Sequence, residues 1–135
     1  MSRTSSRLRL SVTLVGLAAS VTTGIAVAPA AFADSAPSPA LVAQEQSRAE
    51  QMVSQKFPAD AANEVAAFDS VITAESSWNP LAHNPHSTAA GLGQILGAST
   101  SDSYPDQLQE ALNYMVTRYG DPIAAAAHEA FYGWY

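Results

Sequence analysis

Glu75 closes an apolar helical run and opens the stretch 75–94, ESSWNPLAHNPHSTAAGLGQ. After the acid come an aromatic residue, two Asn-Pro steps and a Gly-rich turn that ends in an amide. Breaking a glycosidic bond near neutral pH requires a proton delivered to the leaving oxygen, and burial is how a Glu acquires a suitable pKa. Val65, Phe68, Val71 and Ile72 recur at helical spacing, and Glu75 follows Ile72 by three residues and Val71 by four. That spacing predicts a carboxyl at the edge of a buried stripe, where low dielectric keeps it protonated to higher pH. A solvated, inert Glu near a helix end has the same spacing, so position alone leaves both readings open.

The neighbouring residues are each ambiguous in the same way. Ser76 either holds the carboxylate or caps the loop, and Trp78 is either a sugar-stacking platform or a plug over the loop. In Gly91-Leu92-Gly93-Gln94, two glycines let backbone approach a ligand closely, and the Gln94 amide can donate and accept at once, as sugar hydroxyls and acetamido groups require. An ordinary Gly-rich helix entry would look alike. Glycosidases commonly use a second carboxylate. Asp69 lies on the same predicted helix but points elsewhere, while Asp102, Asp106 and Glu129 approach Glu75 only if the fold brings them. His83, His86 and His128 match no metal spacing, so neither a metal nor a cofactor is expected. Tyr114, Tyr119, Tyr132, Trp134 and Tyr135 crowd the C-terminal part, as groove lining or as core. Trp134 and Tyr135 are expected to pack back and tie down that end.

The elements that would position these groups are helices. A short Ser/Ala/Pro lead over 35–39 precedes a helix-forming segment, Leu41 to Phe57, ended by Pro58. This helix either packs on the domain or stands off as a stalk. Asp60 is the expected N-cap of the helix that carries Glu75. Pro80 and Pro85 exclude regular helix over 77–88. Ala89 to Leu96 is expected as a short helix entered through the glycines. Pro105 opens the next helix, whose Leu108, Ala111, Leu112, Met115, Val116 and Tyr119 keep the 3.6 period up to Gly120, and a last helix runs from Pro122 to about Phe131. No useful strand alternation occurs, so the expected class is all-α.

Residues 1–33 read as a secretory signal, with Arg3, Arg7 and Arg9, an apolar run from Leu10 to Ala28, and Ala31-Phe32-Ala33 at the cleavage site. An interrupted apolar run followed by Pro29 argues against a retained membrane anchor. The chain has no Cys, hence no disulfide framework. Cleavage removes three of six basic residues and none of twelve acids, leaving a formal charge of −9. That balance excludes nucleic acid as the partner, because phosphate binding needs Lys and Arg. Neutral sugars remain suitable ligands. About one hundred mature residues make one small domain stabilised by packing alone.

Taken together and in order, these motifs resemble the secreted lytic transglycosylases with a goose-type lysozyme-like domain, in the short single-domain form of Gram-positive wall proteins. The resemblance rests on Glu75-Ser76, Trp78-Asn79-Pro80, Asn84-Pro85, Gly91-Leu92-Gly93-Gln94, Arg118-Tyr119-Gly120 and Trp134-Tyr135, and covers about Val65 to Tyr135. It implies a lysozyme-like helical domain over 60–135, with the lead and an extra N-terminal helix over 34–59. It implies that Glu75 is the sole catalytic acid/base, and that Ser76, Trp78, Gly91, Leu92, Gln94, Tyr114 and Trp134 bind substrate. The expected reaction cleaves the β-1,4 bond between N-acetylmuramic acid and N-acetylglucosamine and closes a 1,6-anhydro ring with help from the substrate's own acetamido group. The expected partner is the peptidoglycan glycan strand, bound by a monomer outside the cell. Related short chains carry a Trp where this one has Ala126 and a Gln near Ala130, and their loop before the Pro105 helix is longer. Those departures bear on the groove wall and on turnover. A hydrolytic muramidase and a wall-binding module that lost efficient catalysis are the two competing readings.

Overall fold

In the computed structural model, which describes residues 36–135, four helices surround one core: α1 (Pro39–Lys56), α2 (Ala61–Ser76), α3 (Tyr104–Tyr119) and α4 (Pro122–Tyr132). Two-residue strands β1 (Ala89–Ala90) and β2 (Ile95–Leu96) form an antiparallel pair between α2 and α3, with Ala89 opposite Leu96 and Ala90 opposite Ile95. The all-α class holds. The proposed signal segment lies outside the described residues. Among the described residues, no helix is long and apolar enough to cross a membrane.

Helix boundaries follow local chemistry. Ser38, Ser103 and Asp121 each accept a backbone N–H from the first turn of α1, α3 and α4, and a Pro sits in that turn each time. Helix α1 therefore begins two residues earlier than the composition suggests. Asp60 occupies the N-cap position of α2 but makes no side-chain cap. Its carboxylate instead accepts from the Asn63 side chain at 2.6 Å.

The core joins Phe68, Val71 and Ile72 of α2 with Leu108, Ala111, Leu112 and Met115 of α3 and Ala125 of α4. Ala49 and Val53 of α1 belong to the same cluster, so α1 packs on the domain and is no stalk. Helix α2 packs most extensively on α4 and then on α1. Glu64 reinforces the first of these contacts, since its buried carboxylate accepts the Ile123 backbone N–H at 3.2 Å at the start of α4.

The expected helix over 89–96 is a hairpin. Gly91 N–H donates to Ala82 O at 2.8 Å and Asn84 N–H to Ala89 O at 2.8 Å, fastening the Asn-Pro loop to the turn. The turn is locked from inside by Gln107 of α3, whose carbonyl oxygen accepts Leu92 N–H at 3.0 Å and whose amide donates to Asp102 O at 3.0 Å. Such directed partners satisfy backbone groups that a single helical turn would leave unpaired.

Candidate active site

Glu75 stands in the last turn of α2, where the chain reverses sharply. Ser77 caps the helix with φ 50°, and Trp78 follows with φ 62°. Left-handed backbone at two successive residues other than Gly costs on the order of 1 kcal/mol or more apiece and persists only when the surroundings enforce it. Here they do. The Trp78 ring is buried at 3 % exposure, its indole N–H donates to Thr73 Oγ1 at 3.2 Å, and the Tyr104 hydroxyl donates to the Trp78 carbonyl. Trp78 is therefore a plug that fixes the turn after Glu75, and it lies outside the lining of the cleft beside that residue.

A cleft of about 630 Å³ opens beside this turn. Glu75, Ser76, Asn79, His83 and Gln94 line it from one side, and Pro37 and Val42 from the side of α1. The Glu75 carboxyl is half-buried, and its pKa is pushed up to about 7, first by burial and then by the negative charge of Glu129. The C-terminal end of a helix dipole acts in the same direction. Glu129 itself is raised by burial on α4. Of the other acids, Asp69 accepts from Gln46 at 3.3 Å, and Asp106 accepts from Ser103 at 2.6 Å at the start of α3. Glu129 is the carboxylate that the fold brings within electrostatic reach of Glu75.

The structure separates the expected site residues into two groups. Glu75, Ser76 and Gln94 meet at the cleft. Ser76 neither holds the Glu75 carboxylate nor caps the loop; its hydroxyl donates back to Ile72 O at 3.1 Å. Gln94 sits at φ 46°, and its amide nitrogen donates to Gly91 O at 2.9 Å, which leaves the amide oxygen for other partners. Leu92 is fully buried in the core, so its side chain is packing and not a ligand contact. The two glycines serve the protein's own side chains. A Cβ on Gly91, which has φ +73°, would lie 2.8 Å from the Gln107 carbonyl oxygen, and one on Gly93 would lie 2.6 Å from the Tyr135 hydroxyl. Tyr114 lies outside the cleft lining and packs edge-on to Tyr135, with ring centroids 5.4 Å apart. Trp134 also lies outside the lining, half-exposed against His128 with centroids 4.4 Å apart.

Tyr135 does tie down its end of the chain. Its hydroxyl donates to Gly93 O at 2.7 Å, and burial raises its pKa, with Glu75 adding to the effect. The sequence reading misses Gln107 and the α1 wall, leaves Glu129 undecided among three acids, and notes Asn79 only within its motif. A signal existed for two of them. Gln107 precedes Ala111 by four residues and Glu129 follows Ala125 by four, which places an amide and a carboxylate on buried helix faces.

The geometry defines a small all-α domain with a half-buried carboxyl of raised pKa at a cleft whose polar lining includes Ser76, Asn79 and Gln94. Among curated proteins, the chain is 39 % identical over 70 residues to the probable transglycosylase IsaA of Staphylococcus xylosus, covering 52 % of this chain and 28 % of the relative. It is 35 % identical over 83 residues to the probable transglycosylase IsaA of Staphylococcus haemolyticus (strain JCSC1435), covering 62 % of this chain and 34 % of the relative. These relatives support a transglycosylase family for the chain, which spans about a third of their length. No family model matches the chain, and no solved structure matches it.

Proposed function

We propose that the chain is a peptidoglycan lytic transglycosylase that acts outside the cell after loss of residues 1–33. One observation carries the reading: the carboxyl of Glu75, on a cleft of sugar dimensions, has its pKa raised to about 7 and so is substantially protonated at neutral pH. The names of the two relatives point to the same chemistry.

In this reading the N-acetylmuramic acid–N-acetylglucosamine linkage lies across the cleft with its leaving oxygen at Glu75. Glu75 donates its proton as the C1–O bond breaks, and the neighbouring acetamido oxygen of the substrate stabilises the electron-poor C1. The Glu75 carboxylate, now charged in a half-buried site, takes the proton of the 6-hydroxyl as that oxygen bonds to C1. The product is a 1,6-anhydro ring, and Glu75 ends protonated as it began. Asn79 and the free oxygen of the Gln94 amide supply polar groups for sugar hydroxyl and acetamido N–H groups.

Glu129 favours a second reading. A carboxylate within electrostatic reach of the acid could activate a water in place of the 6-hydroxyl, which would give hydrolysis. Incubation of the mature protein with purified sacculi, followed by mass spectrometry of the soluble muropeptides, separates the possibilities. Ends in 1,6-anhydro-muramic acid support transglycosylation, reducing ends support hydrolysis, and undigested sacculi that retain the protein support a binding module.

A further inference from the structure

The aromatic side chains at the end of α4 form a connected shelf outside the cleft. Phe131, Tyr132 and Trp134 are 80 %, 58 % and 49 % exposed. Phe131 and Tyr132 meet edge to face at 4.7 Å, Tyr132 lies 6.1 Å from Trp134, and the His128 ring sits between them at 4.5 and 4.4 Å from Tyr132 and Trp134. The His128 Nδ1 atom lies 2.8 Å from Trp134 O, which pins the Trp134 backbone. Large apolar side chains gathered at a surface mark a binding site more often than scattered ones do.

Two observations select the occupant. The first is charge. Of the three cations left after residue 33, Arg48 pairs with Glu45, and Lys56 lies at the far end of α1. Exposed Arg118 holds its guanidinium 5.4 Å from the Trp134 ring and 5.6 Å from that of Tyr119, at the inner edge of the shelf. An otherwise acidic protein thus keeps a cation poised over aromatic faces. The second is continuity. Ring contacts run inward from His128 to Tyr119 at 5.0 Å and from Tyr119 to Tyr135 at 6.3 Å, and Tyr135 bonds the turn that ends in Gln94. The shelf therefore abuts the framework of the Glu75 cleft.

The geometry points to a second saccharide site, in which Phe131, Tyr132 and Trp134 stack on pyranose rings of a glycan strand and Arg118 pairs with a carboxylate that the strand carries. Ring faces are electron-rich, so they attract the slightly positive C–H face of a pyranose, while a lactyl or peptide carboxylate answers the guanidinium. A bare lipid surface would be served by several cations, whereas the shelf has one. The choice of peptidoglycan as the strand rests on the proposed function.

The test is co-sedimentation of the mature chain with purified sacculi, in a Glu75→Gln background that spares the polymer. Phe131→Ala/Tyr132→Ala is expected to raise the apparent Kd about tenfold. Phe131→Leu/Tyr132→Leu, which keeps apolar area and removes the rings, should weaken binding similarly with the melting temperature held. Arg118→Gln should weaken binding of muropeptides and leave that of uncharged N-acetylglucosamine oligomers unchanged. An unchanged Kd in both double variants overturns the proposal. So does a shelf-dependent dimer, or shelf-dependent binding to phosphatidylglycerol vesicles in place of sacculi. The cleavage reading stands or falls separately: shelf-dependent binding without muropeptide release by the parent chain retains the shelf and removes the enzyme, and the reverse result removes the shelf alone.

Discussion

At pH 7 the Glu75 carboxyl lies close to its midpoint, and the sign of every pH effect follows from that. In the proposed reaction the first step consumes the protonated form, so release of muropeptides should be level below about pH 7 and fall about tenfold per pH unit above it. Removing the like charge with Glu129→Gln should move this alkaline limb to lower pH, because Glu129 helps to raise Glu75. Glu75→Gln should reduce release about 10²–10⁴-fold. Stability runs the other way for the ionised group. The folded pKa lies above the ordinary carboxyl value of 4.5, so the stability linked to the neutral form is complete below about pH 4.5 and is lost as pH rises through about 7. Glu75→Gln should therefore stabilise the protein at pH 8–9 and change little near pH 4. The full shift corresponds to about 3 kcal/mol, and solvent screening of a half-exposed group reduces the expected gain to about 1–2 kcal/mol, measured by urea unfolding at the two pH values. The position of Glu75 was legible because helical spacing ties it to Val71 and Ile72. The help from Glu129 was not, because it depends on how α4 lies against α2.

At the scale of elements, the four helices were legible because their signals are local: an apolar stripe, a Pro in the first turn, and Gly120 after the last periodic residue of α3. The hairpin was not. A strand of two residues is too short to show alternation, and its Gly-rich turn reads equally well as a helix entry. What decides it is Gln107, fifteen residues on, whose amide holds both Leu92 and Asp102. Gln107→Ala should cost about 2 kcal/mol, since Leu92 N–H would remain buried without a partner. It should also loosen Gln94 and so lower turnover while Glu75 titrates as before, a pattern that a pH-rate profile would reveal. Gly93→Ala should break the Tyr135 contact from the other side, because the new Cβ would fall 2.6 Å from the phenolic oxygen. The expected cost is about 1–3 kcal/mol, with quenching of the near-ultraviolet tyrosine signal as its optical mark.

For the whole molecule, the placement of α1 decides whether residues 39–56 are an appendage or part of the working domain. The sequence left both open, because the stripe of α1 is imperfect and Glu45 interrupts it, whereas the structure buries Glu45 at 3 % exposure with Arg48 as its partner. Val53 is wholly buried in the core shared with α2 and α3, and Val42 helps to wall the cleft that holds Glu75. With no disulfide to staple about one hundred residues, loss of this layer removes core that nothing replaces. Val53→Ala should therefore destabilise the entire domain by about 2–3 kcal/mol. Unfolding followed by tryptophan fluorescence in a Trp134→Phe background, which leaves Trp78 at the end of α2 as the reporter, should shift together with unfolding followed by far-ultraviolet circular dichroism. Coincident transitions mean that α1 and the site fold as one unit. If α1 melted first while the Trp78 signal kept its original midpoint, the helix would be an accessory, and the cleft would have to function without its second wall.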